Sequence, residues 1–198
     1  MGRTSDAREK ILDAAQTLVE LRGYSAIGVA EICKAADVPK GSFYYFFESK
    51  EALALTVIED HWTALRSDWE RTLRGDAPPL QRLQQLLEAI EAEQCDGRHN
   101  TGTVAGCLFG NLTLELSNQT ETIRERLQEV FDQQVDLIEQ VVAEAAKLGE
   151  ADVADTREAA RSIVAQLEGQ VLFAKLYNDP GRLGTLWGNC ITLLAGRS

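Results

Sequence analysis

Proline and histidine are scarce in this 198-residue chain, and the scarcity limits what it can be. Four prolines (Pro39, Pro78, Pro79, Pro180) leave long stretches free of the residue that breaks helices. Two histidines, His61 and His99, are too few for an ordinary histidine-based metal set. Four cysteines (Cys33, Cys95, Cys107, Cys190) are scattered without a CxxC spacing, which argues against both a zinc framework and a disulfide scaffold. No run approaches the roughly 20 apolar residues of a membrane span, and the polar N-terminus has no apolar signal segment. Asp6 stands where a myristoylation signal needs Ser or Thr. No stretch alternates apolar and polar residues as a strand does, and no Asn-Gly hairpin pair occurs. The expectation is a cytoplasmic protein without metal, cofactor or membrane partner.

What is present favours helices. Apolar residues make up 44% of the chain, enough for a core, and Ala, Leu, Glu and Gln dominate, so an all-α fold of about nine helices is expected. The net charge of -11 argues on its face against a polyanionic partner. Its distribution changes that. Residues 1–50 carry seven bases and seven acids, whereas the remainder carries 13 bases and 24 acids. A neutral N-terminal quarter, locally basic around Lys40 and Lys50, is attached to an acidic body that a polyanion would repel.

The helical periodicity places helix 1 over about 6–22, with Asp6 and Glu9 as a capping box and Ala7, Ile11, Ala14, Ala15, Leu18 and Leu21 on its apolar face. Helix 2 starts near Gly28 with Val29, Ile32, Cys33 and Ala36 on one side, and Asp37 takes the turn. A short third helix then carries Lys40-Gly41-Ser42-Phe43-Tyr44-Tyr45-Phe46-Phe47. Four consecutive aromatics go all round a helix, so they cannot all be core. Phe43 and Phe47, four apart, are expected to pack against Ile11, Leu18 and Ile32, leaving Ser42, Tyr44 and Tyr45 outward. Two short helices joined by a tight turn, the later one carrying exposed polar groups, describe a helix-turn-helix. Ser49 is placed to cap a fourth helix that runs to about Arg74.

Residues 7–53 resemble the DNA-binding domain of the TetR family of bacterial transcriptional regulators. The matching pieces are Ile11-Leu12-Asp13-Ala14-Ala15, Gly23-Tyr24, Val29-Ala30-Glu31-Ile32, and Val38 through Phe47 followed by Ser49-Lys50-Glu51-Ala52-Leu53. The resemblance implies an N-terminal three-helix DNA-binding domain, residues 1–50, and a C-terminal helical ligand-binding and dimerisation domain, residues 51–198. It also implies that Tyr45 and Lys50 bond phosphates while Lys40, Gly41, Ser42 and Tyr44 face the groove. Three positions leave the family pattern. Ile27 and Gly28 replace a pair of hydroxyl residues, so Gly28 caps helix 2 without a side-chain contact. Asp37 replaces the turn glycine, and Phe46 stands where many members have His.

Beyond Pro78-Pro79, helix 5 is expected over about 80–95, with residues 96–103 as a loop and Thr103 capping helix 6. That helix would hold Gly106 and Gly110 in close succession, with Cys107 in its first turns. The stretch is similar to the same helix in family members whose cysteine senses electrophiles or oxidants; a small buried thiol is the plainer reading. Helix 7 spans about 121–148, helix 8 begins near Asp152, and helix 9 runs from Pro180 to Ala195. The last is nearly all apolar and should be covered by a second copy of the chain. The residues expected to line an effector pocket are Trp62, Leu65, Trp69, Cys107, Asn111, Phe131, Gln134, Gln170 and Phe173, and the same periodicity would make each of them plain core.

The function expected from these features is that of a homodimeric repressor. It would be released from a palindromic operator by a small molecule, with helix 4 as a lever that changes the half-site spacing. Modification of Cys107 is the alternative trigger. An enzyme built on Cys107 or Glu115 lacks a histidine placed for a dyad, a phosphate loop and a metal cluster. A purely structural helical protein would not need the Lys40–Lys50 surface.

Overall fold

The computed structural model describes residues 2–195, with side chains from residue 6. Among the described residues there are nine α-helices, one 3-10 helix and no strand. The helices are α1 (Gly2–Arg22), α2 (Val29–Ala35), α3 (Lys40–Phe46), α4 (Lys50–Leu73), α5 (Pro79–Thr101), α6 (Leu108–Leu116), α7 (Glu121–Lys147), α8 (Thr156–Tyr177) and α9 (Leu186–Leu194). The 3-10 helix, Pro180–Thr185, precedes α9.

The ends of these helices follow their caps. Ser49 Oγ accepts from Ala52 N at 3.0 Å and starts α4. Asp155 Oδ1 accepts from Glu158 N at 3.0 Å, so α8 begins there and not near Asp152. α1 runs straight through Asp6, so the expected capping box does not form, and Asp6 pairs with Lys10 one turn on at 3.0 Å. α5 continues through residues 96–101, which the sequence suggested as loop. Its stop is Gly102 at φ 81, whose N–H donates to Arg98 O at 2.8 Å. α6 correspondingly starts late, at Leu108. Gly106 lies before it in left-handed backbone at φ 80, and Cys107 is the residue just outside the helix. The final apolar segment divides as well: Asp179 Oδ1 accepts from Gly181 N at 3.2 Å beside Pro180, and this tight opening is 3-10 before α9 takes over.

Contacts group the chain into two compact units, Met1–Thr63 with Leu108–Gln128, and Ala64–Cys107 with Glu129–Ser198. The boundary expected at residue 50 does not coincide with these units: packing assigns the beginning of α4, all of α6 and the start of α7 to the first unit.

In the first unit Ile11, Ile32, Phe43 and Phe47 are buried as expected. Leu18 is only half-buried, and its neighbour Val19 is turned to the core instead. Phe109, Leu112 and Leu116 of α6 and Ile123 and Leu127 of α7 complete that core. Phe109 meets Trp62 edge-on at 6.1 Å and His61 at 5.2 Å. Burying each such side chain contributes about 1.5–3 kcal/mol, so the α6 stripe is a substantial share of this unit's stability.

The second unit is built on Leu83, Leu86 and Leu87 of α5, Ile138, Val141, Val142 and Ala145 of α7, and Ile163, Leu167, Val171 and Ala174 of α8. Arg82 is buried there; its Nη1 donates to Leu73 O at 2.5 Å, capping α4, and its Nη2 pairs with Glu144. Asn178, at φ 51, closes α8 and also accepts from Val104 N at 2.8 Å, holding the segment before α6. None of the described helices is long and apolar enough to cross a membrane.

Candidate nucleic-acid interface

α3 is short because its ends are fixed by sequence. Pro39 is its extended N-cap, and Phe47 leaves helical geometry at ψ 121. The turn before it needs left-handed backbone at Asp37, φ 54, a conformation that Asp tolerates better than most residues. Val38 N then donates to Cys33 O at 3.0 Å, closing the turn. Gly28 caps α2 in extended geometry with no side-chain bond, and a Cβ placed there would meet nothing within 4 Å.

The aromatic run divides as helical geometry requires. Phe43 and Phe47 are buried, 5.7 Å apart, and Arg8 lies over the Phe47 ring at 5.7 Å. Tyr44 is 56% and Tyr45 75% exposed, so the two hydroxyls point outward from a helix anchored by its other face. Lys40 and Gly41 are exposed and Ser42 is half-buried. Together they give an outward surface of one cation, three hydroxyls and a glycine, the donors that phosphate oxygens and base edges accept from.

Lys50 departs from this pattern. It is half-buried, its Nζ donates to Tyr24 O at 2.5 Å and sits 3.9 Å above the Tyr24 ring. Burial lowers its pKa, and Glu115 nearby opposes that shift. Sequence reasoning missed Glu115 in this role. Its carboxylate accepts from Tyr24 N at 2.8 Å and Ser25 N at 2.5 Å, in the turn between α1 and α2.

The nine residues expected to line a pocket do not fall in one unit. Trp62 and Asn111 belong to the first, and Leu65, Trp69, Cys107, Phe131, Gln134, Gln170 and Phe173 to the second. Trp62 and Trp69 are buried, Gln134 is 2% exposed with no hydrogen-bond partner for Oε1, and Leu65, Asn111, Phe131 and Gln170 are half-buried. Phe173 is a correction: at 51% exposure it lies on the outer face of α8, stacked on Tyr177 at 6.4 Å, because the inward stripe is taken by Val171 and Ala174. Leu172, Leu176 and Tyr177 share that outer face and are exposed as well. Cys107 is half-buried and hydrogen-bonded to Glu168, whose carboxyl is pushed up by burial and pulled down by the thiol. Among the described residues no cluster of His, Cys, Asp and Glu could hold a metal ion.

Known proteins share this arrangement. Residues 11–57 match the model of bacterial regulatory proteins of the tetR family, and residues 79–187 the tetracyclin repressor-like C-terminal domain. The transcriptional repressor DhaR of Mycobacterium sp. (strain GP1) is 37% identical over 150 residues, 75% of this chain and 71% of that one. The crystal structure of a regulatory protein TetR from Rhodobacter sphaeroides superposes with a TM-score of 0.86 at 30% identity, over 96% of this chain and 99% of that one. The reduced form of E. coli NemR does so at 0.83 and 26% identity, over 98% and 99%. With its helix-turn-helix, its all-helical body and matches along both, the chain belongs to the TetR family of DNA-binding transcriptional regulators.

Proposed function

We propose that this regulator is a cytoplasmic homodimeric repressor that binds a palindromic operator and is released by a small molecule. The observation that carries the DNA assignment is the split of α3: Phe43 and Phe47 buried, Tyr44 and Tyr45 outward, with Lys40 at the entry. Lys40, Gly41, Ser42, Tyr44 and Tyr45 are the groove and phosphate contacts, and Gly28 admits the backbone at the start of α2. The exposed apolar face of α8 supports a dimer, since Leu172, Phe173, Leu176 and Tyr177 recur at one-turn spacing without cover. Two-fold symmetry then makes the operator a palindrome. Repression is what DhaR is named for, and it is extended to this chain on the likeness of the two. The chain acts by binding and not by catalysis.

A gel shift on the DNA upstream of its own gene tests this reading. Specific retardation that survives excess unrelated duplex is expected. Retardation equal on all sequences would refute it.

A second reading, regulation through the Cys107 thiol, has one observation in its favour. Glu168, with its raised pKa, is a stronger base than an ordinary carboxylate and is already bonded to that thiol. Glu168 would take the thiol proton as the sulfur adds to one alkene carbon of an electrophile such as N-ethylmaleimide; the C=C electron pair shifts to the adjacent carbon, which then takes the proton back from the Glu168 carboxyl. In a Cys95→Ser background, which removes the exposed thiol, the electrophile should release DNA from the parent and not from Cys107→Ser. Equal release from both removes this reading.

A further inference from the structure

The turn between α1 and α2 is gripped from two sides by groups distant in sequence. α1 ends at Gly23 in left-handed backbone, φ 81. The next two amides, Tyr24 N and Ser25 N, then point to one place, and the Glu115 carboxylate of α6 occupies it. Successive backbone N–H groups in such a turn form a concavity suited to an anion. The seat is tight: a Cβ on Gly23 would lie 3.2 Å from Glu115 Oε2. From the other side Lys50, the first residue of α4, donates to Tyr24 O at 2.5 Å and covers the Tyr24 ring. Acid and base thus hold the donor and acceptor sides of one turn. The hydrogen bonds to the turn lower the Glu115 pKa against the effect of its burial, and Lys50 adds to that lowering.

Two further ties hold α4 to the same stretch of chain. Thr120 Oγ1 donates to Glu51 Oε1 at 2.7 Å, and Arg126 Nε donates to Glu59 Oε2 at 2.9 Å. α2 starts four residues after Ser25 and leads directly into α3. Whatever fixes Tyr24 and Ser25 therefore fixes the root of the DNA-binding pair.

We propose that Glu115 is a positioning residue for DNA binding. It touches no DNA. By seating its carboxylate on the Tyr24 and Ser25 amides and balancing Lys50, it holds α2 and α3 in one pose relative to α6 and the start of α4. DNA then meets a surface already ordered, and the cost of ordering it is not taken from the affinity.

The test uses the full-length protein and, as probe, a palindromic duplex selected from random DNA by the wild type. Glu115→Gln keeps size and removes charge and one acceptor. Removing a negative charge near a polyanion should by itself tighten binding. Lost positioning does the opposite, so affinity is expected to fall about tenfold, the scale of one lost charge-assisted hydrogen bond. Amide hydrogen exchange at Tyr24 and Ser25 should rise in the same variant, with the melting temperature close to wild type. Unchanged or tighter binding overturns the proposal. So does weaker binding with unchanged exchange at those two amides, since Glu115 would then act elsewhere. Should the variant fold poorly, the wild type still decides: Tyr24 and Ser25 amides that exchange as fast as an open turn overturn the assignment, and protection matching that of helical amides supports it.

Discussion

Gln16 Nε2 lies 3.1 Å from His61 Nδ1 and joins α1 to α4 across 45 positions of sequence. The same amide nitrogen donates to Glu20 Oε1 at 2.9 Å, and its second N–H faces the imidazole at Nδ1. A proton on Nδ1 would set two donors against each other. Burial accordingly lowers the His61 pKa below its ordinary 6.5, and Glu20 restores part of it.

That histidine makes the first unit sensitive to acid. Between the folded and unfolded pKa values the unfolded chain binds the proton and the folded chain does not, so stability rises with pH there. The full contribution is present above about pH 6.5 and is lost as pH falls below it. The melting temperature should drop between pH 7.5 and 5.5, by roughly 2–4 °C per kcal/mol of lost stability. In His61→Gln that part of the drop should vanish; a pH profile identical to wild type would show that another group is responsible.

Lys40 and Lys50 should separate in their effects. Lys40 is exposed at the entry of α3, so Lys40→Ala should weaken DNA binding, reduce the salt slope by about one and leave the melting temperature unchanged. Lys50 is engaged with Tyr24, and Lys50→Ala should lower both affinity and melting temperature. Tyr45→Phe removes one exposed hydroxyl and should weaken binding with full stability retained. A Tyr45→Phe protein with wild-type affinity would remove Tyr45 from the contact set.

The outer face of α8 should govern assembly. Leu176 is 68% exposed in the single chain, so Leu176→Glu costs little within the fold. If the face is a dimer contact, sedimentation should show the variant as a folded monomer with weakened operator binding. A dimer that survives the charge places the contact elsewhere.

Three of the four cysteines should label in two classes. Cys95 is exposed and should react with a thiol reagent in the native protein. Cys33 and Cys190 are buried, and burial pushes the Cys190 thiol up to about 11, so both should react only on unfolding. Mass spectrometry after a brief pulse of reagent distinguishes the classes.

Buried Arg82 offers a test of the second unit. Arg82→Met removes the donor to Leu73 O at the end of α4 and the partner of Glu144. A loss of about 1–2 kcal/mol is expected, read as a melting temperature lower by roughly 2–8 °C. Glu144 is half-exposed, so Glu144→Gln should cost less. The reverse order would mean that the ion pair, and not the cap, carries the stability.

The helix-turn-helix was legible in the sequence because its determinants are local. Asp37, Pro39, Ser49 and the 43/47 spacing each act within a turn or two, and the structure places them as the spacing requires. The end of α5 was not legible. Asp96-Gly97 looks like a loop, yet the helix crosses it and stops at Gly102, where left-handed backbone and the Asn178 bond to Gly102 O coincide. Glu115 was invisible for the opposite reason: its partners, Tyr24 and Ser25, are 91 and 90 residues away. The effector-pocket residues stayed ambiguous because an inward stripe describes core and pocket lining alike. Phe173 shows the limit, since its place on the helix became clear only once Val171 and Ala174 were seen to hold the inner face.

The first packing unit is assembled from two stretches separated by residues 64–107. The DNA-reading helices therefore leave the ribosome well before Phe109, Leu112, Leu116, Ile123 and Leu127, the apolar residues that complete their unit. At bacterial synthesis speeds the wait is on the order of several seconds. A nascent chain holds its recognition helix without its foundation during that interval, and a message truncated before residue 108 yields a helix-turn-helix with an open apolar flank. Completion of the DNA-reading unit thus waits on Leu108–Gln128, which are made only after the first stretch of the second unit, residues 64–107.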